Sequence, residues 1–540
     1  MMKKLKNFIL LLAGLCFTVS CQDDFLDRQA TNAIPEEDVF EDPALMQLFV
    51  NNMYADVPSF DFGLYDNITD ESRCYWGGGP LNVVQGQWFA DNNPMEYWAY
   101  AAIRKANMFL EKIEDAPVEE EEKAVLKGQV KFLRAMHYFK MVKRYGGVPV
   151  ITEPQDLSDD LFVKRQSTDE SFAFIVRELE EAAGLLPETY GDIAVDVGKA
   201  NKYSAKAFLG RVYLFWASPL YNPEGDVTRW EKAAAINKEV MDAEVYDLHP
   251  SFRNIMLDKN NEEEIFSVQF LKPYREHGWD SWAMPDSRSK QSAVARSPLQ
   301  EFVDAFEMKN GKAIDEPGSG YDPANPYANR DPRFDATLIV NGSTFGFQGL
   351  PVYMYVGAPI DGINLPYATI TGYLMRKGTD ESNKDYYGNA GSDQNWIELR
   401  YAEVLLNYAE ARNEALAAPD QSVYDAVERI RERAGLNPFE LPEGLSKAEM
   451  RETIRHERYI ELAFEQKRYW DLRRWKTAVE KLHGKTFHAM YITRHDDGSY
   501  TYEAKPATQG PYVFQEKMYF MPIPQREIEK NPNLEQNLGW

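Results

Sequence analysis

The chain has 540 residues, 44% of them hydrophobic, and a formal net charge of −25. This length is enough for two or three ordinary domains or for one extended repeat structure. A strongly acidic surface repels the phosphates of nucleic acids and anionic lipid headgroups, which argues against both as partners.

The first 21 residues have the pattern of an export signal. Lys3, Lys4 and Lys6 precede an apolar stretch that is too short to span a bilayer as a helix of about 20 residues. Residues 17–21 resemble a bacterial lipobox, so we expect cleavage after residue 20 and acylation of Cys21. The alternative is an ordinary signal peptide followed by a chance cysteine.

Cleavage would change both charge and cysteine content. Removal of residues 1–20 takes away three lysines and no acidic residue, which makes the mature charge −28. Cys16 leaves with the signal and Cys21 is acylated, so only Cys74 remains. We expect no disulfide framework and a structural role for Cys74.

Helical patterns dominate the chain after a short acidic tether. The clearest is a helix within residues 94–145 whose apolar face includes Phe132, Met136 and Phe139, followed by Gly146 and Gly147 as stop signals. Leu-Gly-x-x-Tyr at residues 209–213 matches tetratricopeptide spacing, in which glycine lets a second helix approach closely. Further helices are predicted at 168–186, 200–218, 229–243, 396–418, 421–434 and 446–476.

Residues 270–395 differ from the rest of the chain. They are dense in Gly, Pro, Asn, Asp and aromatic residues, with short β-like runs such as 351–356, and indicate a loop-rich module inserted into a helical body. Near the end, residues 487–494 and 499–503 flank Asp497-Gly498, which predicts a β-hairpin. A calcium loop at residues 496–499 is the weaker alternative.

Carboxylates recur at helical spacing near the C-terminus. Glu457, Glu461 and Glu465 stand at i, i+4 and i+8, which places them on one helix face. A glycosidase needs two carboxyl groups that face each other across a cleft. We therefore expect a structural ion-pair network with basic residues of the same segment or of neighbouring helices, and keep a surface glycosidase as a rival. The nearby arginines are Arg458, Arg468, Arg473 and Arg474.

Six segments carry motifs that recur in one protein family: RAMHYFKMVKRYGGVP at 134–149, YANRDPRF at 327–334, and residues 202–214, 399–411, 457–475 and 522–537. Together these segments resemble the SusD/RagB family of outer-membrane lipoproteins, and they occur in the order of that family. The resemblance implies a mainly α fold, a superhelix of tetratricopeptide-like helical pairs with an inserted loop-rich module and a few short strands and hairpins. It also implies anchoring on the outer face of the outer membrane and a SusC-like TonB-dependent transporter as partner.

Aromatic residues in loops supply the candidate binding site. Neutral sugars stack their C–H faces on flat rings and present hydroxyl groups to polar side chains. Two loops, 69–93 and 272–287, combine these residue types, and two tyrosines of the inserted module extend the set. The predicted glycan-binding residues are Arg73, Tyr75, Trp76, Trp88, Tyr274, Trp279, Trp282, Tyr353 and Tyr355.

The predicted organisation has six parts. Residues 1–20 are the signal peptide, 21–40 the acylated cysteine and tether, 41–270 an N-terminal helical body, 271–395 the ligand-binding module, 396–480 C-terminal helices and 481–540 the hairpin and C-terminal segment. We expect a non-enzymatic protein, without cofactor or metal, that captures oligosaccharide or polysaccharide for the transporter. Two alternatives are a RagB-type peptide-binding lipoprotein, which the acidic charge would suit, and a purely structural lid.

Overall fold

The structure of the chain is a computed structural model, which describes residues 36–60, 64–75, 78–191, 196–288, 294–384, 390–507 and 509–540. The predicted signal peptide, Cys21 and Trp76 lie outside the described residues.

Helices account for most of the regular structure. They are α1 Glu36–Glu41, α2 Pro43–Ala55, α3 Gly79–Val84, α4 Tyr100–Lys112, α5 Glu120–Tyr145, α6 Thr168–Leu185, α7 Lys202–Ala217, α8 Val227–Asp242, α9 Trp279–Ala283, α10 Gln300–Ala305, α11 Arg333–Thr337, α12 Tyr401–Ala415, α13 Gln421–Ala434, α14 Lys447–Glu461, α15 Arg468–Arg474, α16 Ala478–Leu482 and α17 Gln525–Lys530. Short 3₁₀ helices occupy Ile113–Asp115, Phe252–Asn254 and Glu516–Tyr519.

Successive long helices pack side by side and form the body. Helix α5 packs on α6, α6 on α7, α7 on α8, and α8 on α12, which contacts α13 and α14. The series therefore continues across the residues inserted between α8 and α12. This arrangement confirms the mainly α, tetratricopeptide-like fold.

Two glycines allow the close approaches that this packing requires. A Cβ on Gly210 of α7 would lie 2.6 Å from the side-chain amide of Asn237 on α8, as the repeat spacing predicts. At the end of α5, a Cβ on Gly147 would lie 1.8 Å from the carbonyl oxygen of Gln166. Gly146, with φ of 75°, ends the helix as expected.

The strands are short and pair in twos. They are β1 Ser72–Arg73, β2 Glu264–Val268, β3 Ser297–Pro298, β4 Leu338–Ile339, β5 Thr344–Phe345, β6 Leu350–Pro351, β7 Leu374–Met375, β8 Trp396–Arg400, β9 His488–Arg494 and β10 Tyr500–Pro506. The antiparallel pairs are β1–β3, β2–β8, β4–β7, β5–β6 and β9–β10. The predicted hairpin is confirmed as β9–β10, and the inserted module consists of short elements joined by turns.

Three predicted boundaries are wrong. Residues 396–400 begin the segment predicted as helix, but they form β8 because β2 pairs with them in the core. The helix predicted at 446–476 is two helices, since Phe464 and Gln466 adopt left-handed backbone, each with φ of 59°, which ends the first helix. Within 351–356 only Pro351 lies in a strand.

No helix within the described ranges combines the length and the apolar character needed to cross a membrane.

Candidate functional site

Two of the predicted binding tryptophans belong to the core. Trp88 and Trp279 are each 1% exposed. The ring of Trp88 packs 4.6 Å from that of Trp540, and the ring of Trp279 lies 5.0 Å from Phe60 and 4.3 Å from the guanidinium carbon of Arg296. Their prediction as ligand-stacking rings is wrong in this structure, because neighbouring side chains already cover their faces.

Trp282 and Arg73 are also buried, at 8% and 3% exposure. Arg73 donates hydrogen bonds to the carbonyl oxygens of Asn67 (3.3 Å) and Ser72 (2.8 Å), and its guanidinium lies 5.1 Å from the ring of Phe487. These contacts brace the loop from inside. Because both side chains are buried, the prediction that they contact a ligand is corrected for each.

Tyr75 meets a ring from the inserted module. It is half-buried, and its ring centroid lies 6.3 Å from that of Tyr367, which is 53% exposed. The sequence did not single out Tyr367, although Asn364 and Pro366 mark its segment as a turn. The predicted binding loop 69–93 and the inserted module therefore meet at this ring pair.

Tyr353 and Tyr355 form a second group. Their ring centroids are 6.0 Å apart, and Tyr500 of β10 lies a further 6.0 Å from Tyr355. The guanidinium carbon of Arg494 lies 5.6 Å above the ring of Tyr355. Tyr353 is 42% exposed, so this group presents aromatic surface to solvent beside a cation.

The hairpin holds both tyrosine groups in place. The backbone N–H of Val356 donates to the carbonyl oxygen of Ile492 (2.8 Å), and the side-chain amide of Asn364 donates to the hydroxyl of Tyr491 (2.9 Å). Between these anchors, Ile363 N–H donates to the carbonyl oxygen of Met354 (3.3 Å). The segment that carries Tyr353, Tyr355 and Tyr367 is thus fixed against β9 at two points.

Tyr274 is the most exposed predicted ring, at 87%. It lies in a turn closed by hydrogen bonds between Leu271 and Arg275. Among the described aromatic residues none stacks on it. The structure therefore does not join Tyr274 to either tyrosine group.

The exposed tyrosines have polar neighbours suited to hydroxylated ligands. Asn364 and Arg494 supply N–H donors, and Lys505 lies with its ammonium nitrogen 5.1 Å from the ring of Tyr491. A flat ring with an adjacent directional donor can hold a sugar face and its hydroxyl groups together.

The carboxylate column is buried and paired. Glu461 accepts hydrogen bonds from Arg400 (2.6 Å), Arg333 (3.0 Å) and Arg433. Although burial raises the pKa of Glu461, Arg433, Arg400 and Arg333 outweigh it and hold that pKa far below its usual value. Glu457 accepts from Arg333, and Glu465 from Arg400.

These contacts confirm a structural ion-pair network. The glutamates of the column pair with arginines from other segments, whereas the arginines near them in sequence have different partners. Arg458 pairs with Asp471, Arg468 with Asp70, and Arg474 with Glu410. Arg473 donates to backbone carbonyl oxygens instead. The glycosidase rival loses its candidate acid and base, since permanently paired buried carboxylates cannot face a substrate.

Comparison with known sequences identifies relatives along the whole chain. A profile of the SusD family matches residues 262–540, and a second, described as starch-binding associating with outer membrane, matches residues 24–214. The SusD-like protein P2 of Formosa agariphila is 27% identical over 573 aligned positions, which cover 99% of each chain.

Solved structures share the fold. A SusD-like protein from Bacteroides fragilis superimposes with a TM-score of 0.80 and 30% identity, over 95% of this chain and all of that one. A SusD-like carbohydrate binding protein from the same species has a TM-score of 0.79 and 26% identity, over 92% of this chain and all of that one.

Proposed function

The chain belongs to the SusD family, and on that premise we propose that it is a non-enzymatic, cell-surface lipoprotein that captures oligosaccharide or polysaccharide. The observation that carries the proposal is the Tyr75–Tyr367 pair, where a loop of the helical body and the inserted module contribute one ring each. The Tyr353–Tyr355 pair, attached to the same hairpin, extends the aromatic surface.

Relatives support carbohydrate as the ligand class. One similar structure is described as a carbohydrate binding protein, and one matching profile as starch-binding. Stacking on tyrosine suits neutral sugars, whose binding needs no opposite charge from a strongly acidic protein. Trp76 follows Tyr75 directly in sequence and is a further candidate ring.

The proposal also includes a lipid anchor and a transporter partner. Acylation of Cys21 would hold the protein at the outer membrane, in agreement with the profile described as associating with that membrane. A SusC-like TonB-dependent transporter would receive the bound oligosaccharide. Replacement of Cys21 with serine should release a protein that still binds glycan but no longer supports uptake.

Binding to a panel of polysaccharides and oligosaccharides tests the ligand class. We expect Tyr367→Ala and Tyr353→Ala each to weaken binding of the best glycan about three- to tenfold, the loss of one stacking ring of about 1 kcal/mol. The matched control is Tyr274→Ala, which removes a more exposed tyrosine that has no stacking partner within the described residues. Calorimetry on the chain without its signal peptide provides the measurement.

Two results would contradict the proposal. Unchanged glycan affinity in both Tyr367→Ala and Tyr353→Ala would show that the paired rings do not form the site. Binding of basic peptides, weakened by salt, with no glycan bound would favour the RagB-type alternative, because charge attraction is screened whereas stacking is not.

A further inference from the structure

A cavity of about 220 Å³ lies inside the helical body, apart from the tyrosine groups. Side chains from the C-terminal half of α5, from β8 and from the segment around α15 line it, and many of them are charged. Because buried charges are costly unless they are compensated, the pairing of each charge indicates what the cavity can hold.

Every acidic side chain that lines the cavity already has a basic partner. Each carboxylate lies within salt-bridge distance of at least one lysine or arginine. The pairs are Glu398 with Lys140 (3.2 Å) and Arg211 (2.6 Å), Glu403 with Arg211 (2.6 Å) and Lys467 (3.3 Å), Asp471 with Arg458 (3.1 Å), Glu465 with Lys377 (2.7 Å), and Glu96 with Arg526.

Lys143, in the last turn of α5, has no such partner. Its ammonium nitrogen lies 4.1 Å from the ring centroid of Trp470, and no residue that the structure describes offers it a carboxylate or a hydrogen-bond acceptor. An ammonium group carries three N–H donors. The indole face compensates only part of that charge.

Arg144 adds a second uncompensated cation beside the same ring. It donates to neutral acceptors, namely the carbonyl oxygens of Met95 (3.0 Å) and Lys140 (2.6 Å) and the hydroxyl of Tyr65 (2.5 Å). Its guanidinium carbon lies 4.8 Å from the Trp470 centroid. Three of its five N–H donors are thus used, which leaves two.

Arg473 brings a third positive charge to Trp470, at 5.0 Å from the ring centroid. It donates to the backbone carbonyl oxygens of Lys143 (3.2 Å) and Arg144 (3.3 Å), at the C-terminal end of α5. That helix end carries about half a negative charge. Three cations therefore surround one indole, and no carboxylate of the described residues lies within salt-bridge distance of any of them.

We propose that this cavity binds a small inorganic oxyanion of the sulfate or phosphate class, held by Lys143 and Arg144. Several directional N–H donors suit an anion with several oxygen acceptors better than chloride. A water molecule takes about 30 Å³, so the cavity has room for an oxyanion together with waters. The site is independent of the glycan-binding surface.

The pKa of Lys143 reflects the same surroundings. Burial, followed by the charges of Lys140 and Arg144, lowers its pKa well below the usual value, while Glu398 opposes the shift. An anion at the ammonium group would reverse that effect, because an opposite charge favours the protonated form.

Calorimetric titration of the purified chain with sulfate, phosphate and chloride at constant ionic strength tests the site. We expect saturable one-to-one binding of sulfate or phosphate, with chloride at least about tenfold weaker. Lys143→Met should reduce oxyanion affinity at least tenfold, and Lys143→Arg should retain it within about threefold. The matched control on α5 is Lys127→Met, which removes an ammonium group paired with Glu114 (2.5 Å).

A second measurement covers the case in which Lys143→Met fails to fold. Crystals of the unmodified chain soaked in selenate should show an anomalous peak within about 3.5 Å of the Lys143 ammonium nitrogen, a hydrogen-bond distance. The proposal is overturned if no oxyanion binds saturably, if folded Lys143→Met binds as the unmodified chain does, or if the selenate peak lies elsewhere. Glycan binding should be unchanged in folded Lys143→Met, so failure here leaves the proposed glycan function untouched.

Discussion

The helical body and the inserted module use their polar residues differently. In the body, buried arginines and glutamates from distant parts of the chain pair directly, as Arg211 does with Glu403 and Arg474 with Glu410. In the module, buried Asp280 accepts hydrogen bonds from neutral groups, the amides of Asn383 and Gln394. The module also has ion pairs, such as Arg376 with Glu381 (2.7 Å), but around Asp280 it uses neutral hydrogen bonds, and its turns leave several tyrosines at the surface.

The glutamate column is where these two regions join. Arg333 and Lys377 belong to the module, and they donate to Glu461 (3.0 Å) and Glu465 (2.7 Å) of the body. A glutamate column that resembles an active site in sequence is thus the junction between the body and the module, which carries the loops proposed to bind ligand. Loops carried on a rigid frame can vary in sequence without loss of the fold.

The most severe test of that junction is Glu461→Gln. The substitution leaves Arg333, Arg400 and Arg433 without their shared carboxylate, so we expect a loss of about 3–5 kcal/mol in the free energy of unfolding. Denaturant unfolding followed by tryptophan fluorescence measures it. The control, Lys238→Met, breaks an exposed pair with Asp242 and should cost less than about 1 kcal/mol. A loss below 1 kcal/mol for Glu461→Gln would contradict the structural role of the column.

Trp279→Ala tests whether this module residue belongs to the core that the module shares with the body. Since its ring is covered by Phe60, Trp396 and Arg296, we expect a cavity and a loss of about 3–5 kcal/mol in unfolding free energy. Tyr353→Ala, at a surface position, should change that free energy by less than about 0.5 kcal/mol. If Trp279→Ala instead weakened glycan binding and left stability intact, the original prediction of Trp279 as a binding ring would be reinstated.

Sequence periodicity predicted the body well because its helices are long and amphipathic. Ser167 and Glu170 form a capping box at the start of α6, and Gly146 ends α5, so local signals and tertiary packing agree there. Residues 396–400 were missed because their apolar pattern fits a helix, whereas pairing with β2, more than 100 residues earlier in the chain, decides their structure.

The exposure of aromatic residues in the loops could not be predicted in the same way. Trp88, Trp279 and Tyr353 all lie in polar, glycine-containing segments, yet only Tyr353 reaches solvent. The difference comes from contacts made across the fold, such as Trp540 against Trp88, which no local pattern encodes. Residue composition predicted that the loops are rich in aromatic residues. Contacts between distant segments decide which of these rings are exposed to solvent.

A fall in pH should change the stability contributed by carboxyl groups in opposite directions in the two regions. In the body, burial raises the pKa of Glu403 and Glu410, but their arginine partners outweigh it and lower each pKa to about 2. In the module, burial raises the pKa of Asp280 above its ordinary value, although its hydrogen-bond donors oppose the shift.

The direction of each change in stability depends on whether the folded or the unfolded state binds the proton more tightly. Glu403 and Glu410 contribute stability above the unfolded-state pKa of about 4.5, and each loses on the order of 3 kcal/mol as the pH falls from there to about 2. Asp280 contributes most below its unfolded-state pKa and loses that contribution as the pH rises through its folded-state value. Between pH 5 and 3, the protection of backbone amides against hydrogen exchange, relative to the intrinsic rate at each pH, should therefore fall in α7 and α12 before it falls around α9. Earlier exchange around α9 would show that charge pairing does not distinguish the body from the module.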